Sequence, residues 1–112
     1  MKKIEAIIRP EKLEIIKDQL GKFDIHGMTV YPVMGCGNQK GWTEVYRGNE
    51  YFINLLPKVK VEIAVADHQT EKLVKLISEV ARTGEIGDGK IFVVNLEDVI
   101  RVRTGERGEK AL

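Results

Sequence analysis

The chain has 112 residues, 18 Lys and Arg against 17 Asp and Glu, a formal net charge of +1, 43% hydrophobic residues and one cysteine. That length favours a single domain, able to bury about 65% of its unfolded surface without disulfide or metal support. The near-neutral charge excludes a general electrostatic grip on nucleic acid or anionic lipid, no apolar run approaches the roughly 18 residues that span a bilayer, and a lone Cys36 fits a reducing, cytoplasmic setting.

The apolar stretch before Arg9 is too short for a secretory signal core. Lys3 to Ile8 reads as a strand, with Ile4, Ala6 and Ile8 on one face. Pro10 suits the first turn of a helix whose stripe, Leu13, Ile16 and Leu20, ends at Gly21. Gly27 to Met34 is a second strand, and Pro32 assigns it to a sheet edge or a bulge. From Gly35 to Asn54, glycines at 35, 37, 41 and 48 interrupt every period. This predicts a functional, mobile loop of about 18 to 20 residues, or else a short hairpin around Thr43 to Tyr46.

Regularity returns at Pro57. Val59, Val61, Ile63 and Val65 alternate with Lys60, Glu62 and Ala64, as in a half-buried strand. Asp67 to Thr70 supply helix-start residues. Leu73, Leu76, Ile77 and Val80 make a helical stripe that closes at Arg82 and Gly84. The turn TGEIGDGK leads to a strand over Ile91 to Leu96. Val99 to Arg103 reads as a short final strand, and GERGEKAL as a loose tail. The order strand, helix, strand, strand, helix, strand predicts an α+β, ferredoxin-like βαββαβ fold in one domain, 1–112, with an antiparallel sheet and both helices on one face. Strands apolar on both sides (AIIR, IFVV) ask for cover on the other face, which another copy of the chain would supply.

Two constellations point to an anionic, phosphorylated ligand. Gly84, Gly87, Asp88, Gly89 and Lys90 form a glycine-rich turn whose backbone N–H groups suit close approach to an anion, with a cation at its end. The GxxxxGK[ST] spacing of a Walker loop is absent. Arg101 and Arg103, two apart on the expected strand, would share a face and fork toward phosphate oxygens. With one strand between them, the two constellations would flank one cleft. A third set, Trp42, Tyr46, Tyr51 and Phe52, places aromatics on the long loop beside Arg47, a composition suited to docking a partner. Phe52 is expected to fold back onto the body, and Tyr51 to be exposed and open to modification. His26 and His68 have no metal-ligand spacing and read as surface or turn residues. Cys36 reads as a packed thiol.

Together, QKGWTEVYRGNEY (39–51), TGEIGDGKIFV (83–93), VIRVRTGERG (99–108) and LLPKVKVEI (55–63) resemble the nitrogen regulatory PII family over nearly the whole chain. They correspond to its T-loop (about 37–55), its B-loop (about 82–90) and its C-terminal loop (about 101–112). The resemblance implies a homotrimer with ATP/ADP sites between subunits. Thr29, Gly37, Asn38, Gln39 and Ala64 would lie near the nucleotide, Gly87, Asp88, Gly89 and Lys90 around its phosphates, and Arg101 and Arg103 would reach in from the neighbour. It implies 2-oxoglutarate as an effector, met by Gln39, Lys40, Gly41 and Lys58, with Gln39 helping to hold a Mg²⁺ that bridges both ligands. Implied partners are an ammonium transporter and nitrogen-assimilation enzymes or their regulators, with membrane recruitment only through the transporter. Trp42, Arg47 and Tyr51 would dock them, Arg47 resembles a pore-plugging residue, and Tyr51 stands at a nucleotidylylated position. Trp42, Asn49, Cys36 and Asn38 depart from common family choices, and Asn49 excludes serine phosphorylation there.

Two rival classes are weaker. A small nucleotide-dependent phosphotransferase using the same cleft needs a positioned base or nucleophile beside the phosphates, and none emerges. An RNA-binding module of the same strand order needs stacking aromatics on its sheet, and only Phe92 lies squarely in a predicted strand.

Overall fold

The computed structural model describes residues 1–25, 27–36, 42–46, 49–53 and 55–112, with backbone alone at 42–46 and 49–53. Four strands, β1 (Lys2–Ile8), β2 (Thr29–Gly35), β5 (Leu56–Val65) and β6 (Lys90–Asn95), form one antiparallel sheet in the order β2-β5-β1-β6. Helices α1 (Leu13–Leu20) and α2 (Asp67–Ala81) provide the two crossovers. This is the ferredoxin-like βαββαβ arrangement that the element order predicts.

Period two decides which side of the sheet is covered. Ile4, Ala6 and Ile8 of β1 pair in register with Ile63, Val61 and Val59 of β5, and all six are buried. Ile16 and Leu20 of α1 and Leu73, Ile77 and Ala81 of α2 join them in one core. Each fully buried Leu, Ile or Val contributes about 1.5–3 kcal/mol, so this stripe-on-stripe contact carries the fold. Pro32 lies in β2, an edge strand, where a missing N–H interrupts no ladder. Helix α2 begins after Ala66, whose backbone N–H donates to Gln69 Oε1 at 3.1 Å. Gln69, rather than an Asp or Thr side chain, therefore caps this end.

The opposite face carries alternate residues, including Lys3, Glu5, Lys58, Lys60, Glu62, Tyr31, Phe92 and Val94. Charges there pair along their own strands, Lys3 with Glu5 at 2.9 Å and Lys60 with Glu62 at 3.2 Å. The Lys60 ammonium also lies 4.9 Å from the centre of the Tyr31 ring, while Phe92 and Val94 remain exposed in the single chain.

Two expectations need correction, and one open alternative is decided. The segment after Gly35 contains a hairpin, β3 (Trp42–Tyr46) with β4 (Asn49–Ile53), in the register Trp42↔Ile53 to Tyr46↔Asn49. The hairpin reading was thus the sound one, and its second strand passes through the apolar, aromatic YFI run. Val99–Arg103 is no strand. Only an isolated bridge joins Ile100 to Arg107, because Gly105 at φ 72° turns the chain back on itself. The Gly105 N–H donates to the Arg101 carbonyl at 2.8 Å, and the Arg101 N–H to the Glu106 carbonyl at 2.9 Å. The tail is also not loose. Gly108–Ala111 forms a 3-10 turn, and Arg101 Nη2 donates to the Leu112 carbonyl at 3.1 Å. Among the described residues no helix is long and apolar enough to cross a membrane.

Candidate functional site

The glycine-rich turn begins where Arg82, extended at φ −73° and ψ 132°, ends α2. Gly87 and Gly89 flank Asp88 at φ +106° and +103°. Alternating backbone hand of this kind lets successive N–H groups converge on one anion. Asp88 holds the turn together from within. Its carboxylate accepts from the Thr83 amide (2.8 Å), the Thr83 hydroxyl, the Gly84 amide (2.9 Å) and Arg9 Nε (3.1 Å). The Thr83 hydroxyl foremost, with the Thr83 and Gly84 amides and the Arg9 guanidinium, holds its carboxyl well below the ordinary 3.8, against the opposing effect of burial.

A depressed carboxylate contributes stability that is present above its unfolded value and lost as pH falls toward its folded one. Wild-type protein is therefore expected to be more stable than Asp88→Asn at pH 7. The gap should narrow once pH drops below about 3.8. Denaturant midpoints across pH 2–7 check this, and a gap that is constant with pH would refute it.

Lys58 enters from β5. Its buried side chain donates from Nζ to the Gly87 carbonyl at 2.6 Å. Burial pushes this ammonium below the ordinary lysine value, Arg9 adds repulsion, and Glu11 and Asp88 partly offset both. A cation so placed gains from an anionic neighbour. A cavity of about 760 Å³ opens here, lined by Lys58 and the Gly87–Lys90 turn together with Gly35 and Cys36. Gly35 and Cys36 are the last described residues before the 37–41 segment, so the glycine-rich turn and the start of that segment share one cavity. Cys36 is exposed, contrary to the packed thiol expected, because β2 ends at Gly35 and the side chain leaves the sheet at its rim.

Thr29 and Ala64 lie elsewhere. They line a second cavity of about 240 Å³ with Glu62, Gln69, Val99 and Leu112. Ala64 is six residues from Lys58 along β5, about 20 Å on an extended strand. The arginine pair belongs to this second end. Arg101 is half-buried, held by Glu106 Oε1 at 3.2 Å and by Leu112, whereas Arg103 lies exposed in the turn. The two arginines are thus not a fork on a strand, since Gly105 reverses the chain. Nor do both constellations flank one cleft within a chain, since the length of β6 separates them.

Gly37, Asn38, Gln39, Lys40, Gly41 and Arg47 lie outside the described residues, as does His26. Trp42 and Tyr51 are placed on β3 and β4 by backbone alone. No group of three or more His, Cys, Asp or Glu is placed to hold a metal among the described residues. Sequence reasoning missed Arg9 and Thr83 as partners of Asp88. Arg9 is distant in sequence, and nothing in its local pattern sets it apart from a strand-end arginine.

The sequence has close relatives. The family model for nitrogen regulatory protein P-II matches residues 1–106. The chain is 56% identical over 112 residues to the nitrogen regulatory protein P-II of Pasteurella multocida, and the match covers 100% of both. It is 52% identical over 112 residues to the nitrogen regulatory protein GlnK of Escherichia coli, again across 100% of both. It is 56% identical over 112 residues to the nitrogen regulatory protein P-II 1 of Methanothermobacter thermautotrophicus, covering 100% of this chain and 97% of that one.

Proposed function

Because this chain belongs to the nitrogen regulatory protein P-II family, and so is a regulatory signal-transduction protein rather than an enzyme, we propose that it reports cell status by binding ATP or ADP, with Mg²⁺ and 2-oxoglutarate as effector, and signals through residues 37–55. One observation carries the reading: the Gly87–Lys90 turn, Lys58 and the loop root at Gly35 and Cys36 line the same cavity. A polyphosphate seated on that turn lies against the origin of the loop.

The residues fit such a ligand. The Gly87–Gly89 backbone suits phosphate oxygens, and Lys90 adds a point charge. Thr29, Ala64, Arg101 and Arg103 sit at the other end of the sheet, so they complete the site only when a second chain presents them. A contact of one end against the other is heterologous, and it closes into a ring when the rotation between copies is a whole fraction of a turn. The family resemblance favours three copies, and the exposed Phe92 and Val94 give that ring an apolar face to bury. Lys58, with the backbone of Gln39, Lys40 and Gly41, takes the carboxylates of 2-oxoglutarate. Gln39 would hold a bound Mg²⁺, whose charge would offset the repulsion between the two anions.

Lys58 gives the effector a route to the turn, since a carboxylate that draws its ammonium releases the Gly87 carbonyl. ADP leaves the γ-phosphate position empty, so the loop keeps another population. That population selects the partner, an ammonium transporter or a nitrogen-assimilation enzyme or regulator, through Trp42, Arg47 and Tyr51. Tyr51 is also the proposed modification site. On this reading the protein acts in the cytoplasm and reaches the membrane only through the transporter.

Calorimetry tests this. With Mg²⁺ present, ATP and 2-oxoglutarate should each raise the other's affinity, by about 5- to 150-fold. Omission of Mg²⁺ should abolish the coupling, and ADP should show little of it. A monomer that binds neither nucleotide, or ATP affinity unmoved by the 2-oxo acid, would sink the reading.

A further inference from the structure

Arg9 is the last residue before the Pro10–Lys12 turn, at the end of a central strand. Its guanidinium spans the glycine turn at two points. Nε donates to Asp88 Oδ1 at 3.1 Å and Nη2 to the Ile86 carbonyl at 3.0 Å. Asp88 in turn accepts from the Thr83 and Gly84 amides. A bare carboxylate between two glycines meant to receive phosphate would repel the ligand. Here the hydrogen bonds of Asp88 draw it toward Thr83, Gly84 and Arg9, away from a ligand role, and Arg9 offsets its charge.

We infer that Arg9 is a positioning residue of the phosphate site, bracing the 83–89 turn through Asp88 and the Ile86 carbonyl without touching the ligand itself. The inference deepens the nucleotide reading above and rests on it. The guanidinium does two things at once: it fixes the turn against β1, and it offsets the Asp88 charge that lies between the two glycines of the converging amides. Loss of the first loosens the turn with or without ligand. Loss of the second opposes ligands in proportion to their phosphate charge, because Coulomb repulsion scales with that charge.

The test uses Arg9→Gln in the full chain, with Asp88→Asn as a second variant that keeps the side chain's size and drops its charge. In ligand-free protein, amide hydrogen exchange at Thr83 and Gly84 should be about tenfold faster in both variants, the scale of one lost charge-assisted hydrogen bond. In calorimetry, Arg9→Gln should weaken ATP about tenfold, ADP less, and adenosine hardly at all. Unchanged exchange at those amides overturns the brace. Equal losses for ATP and adenosine overturn the charge-cancelling role. If the unmodified protein binds no nucleotide, the underlying reading fails, and the exchange measurement still decides whether Arg9 braces the turn.

Discussion

Gly89→Ala is expected to be severely damaging although it adds only a single methyl group. A Cβ at Gly89 would lie 1.7 Å from the Ile7 carbonyl oxygen and 2.7 Å from its carbon. The obstacle is backbone of the central strand β1, held by β5 on one side and β6 on the other, so no side chain can swing away. The residue also sits at φ +103°, which costs a non-glycine residue about 1–3 kcal/mol before any clash is counted. Either β6 leaves its pairing at Ile7↔Lys90 or the turn moves as a body. The expected loss exceeds about 4 kcal/mol, from a total of about 5–15. Gly84→Ala is the control. It too has positive φ, at +91°, but nothing lies within 4 Å of its would-be Cβ, so only the backbone cost applies. Urea titrations of both variants decide the matter. A Gly89→Ala protein as stable as Gly84→Ala would show that the approach to Ile7 is not tight.

Leu73→Ala should be the most costly of the simple core truncations. Leu73 is 0% exposed, on the face of α2 that it shares with Ile77 and that joins the core of the central strands. Removing three carbons from such a site costs about 2–5 kcal/mol, through lost burial plus the cavity left behind. The midpoint of unfolding should fall with the slope unchanged, because the surface exposed on unfolding barely alters. Thermal midpoints should drop by roughly 4 °C or more per kcal/mol. A loss under about 1 kcal/mol would mean that α2 collapses into the void.

The alternation in β1 and β5 and the stripes of α1 and α2 were legible because burial acts on each residue locally, and period alone reports it. So was the glycine-rich turn at 83–89, whose backbone demands show in composition. The C-terminal arginines were misread for a physical reason: VIRVR has strand propensity, but Gly105, three residues past Val102, supplies a left-handed turn that closes the segment on itself. The β3–β4 hairpin sat within a glycine-interrupted stretch, where β-formers on either side of Arg47–Gly48 were the only cue. Arg9, Thr83 and Asp88 were illegible as a set, since the contact spans 79 positions and depends on where two turns meet. The separation of Thr29 and Ala64 from the glycine turn was hidden likewise, for only strand register reveals which end of a sheet a residue occupies.

That separation has a genetic side. If one chain lends the arginine end and the next lends the glycine end, an allele defective at Arg101 and another defective at Lys90 each abolish every site when expressed alone. Co-expressed, a mixed three-membered ring restores one intact pocket, where an undamaged arginine end faces an undamaged turn. Two individually dead genes would then support a living signal.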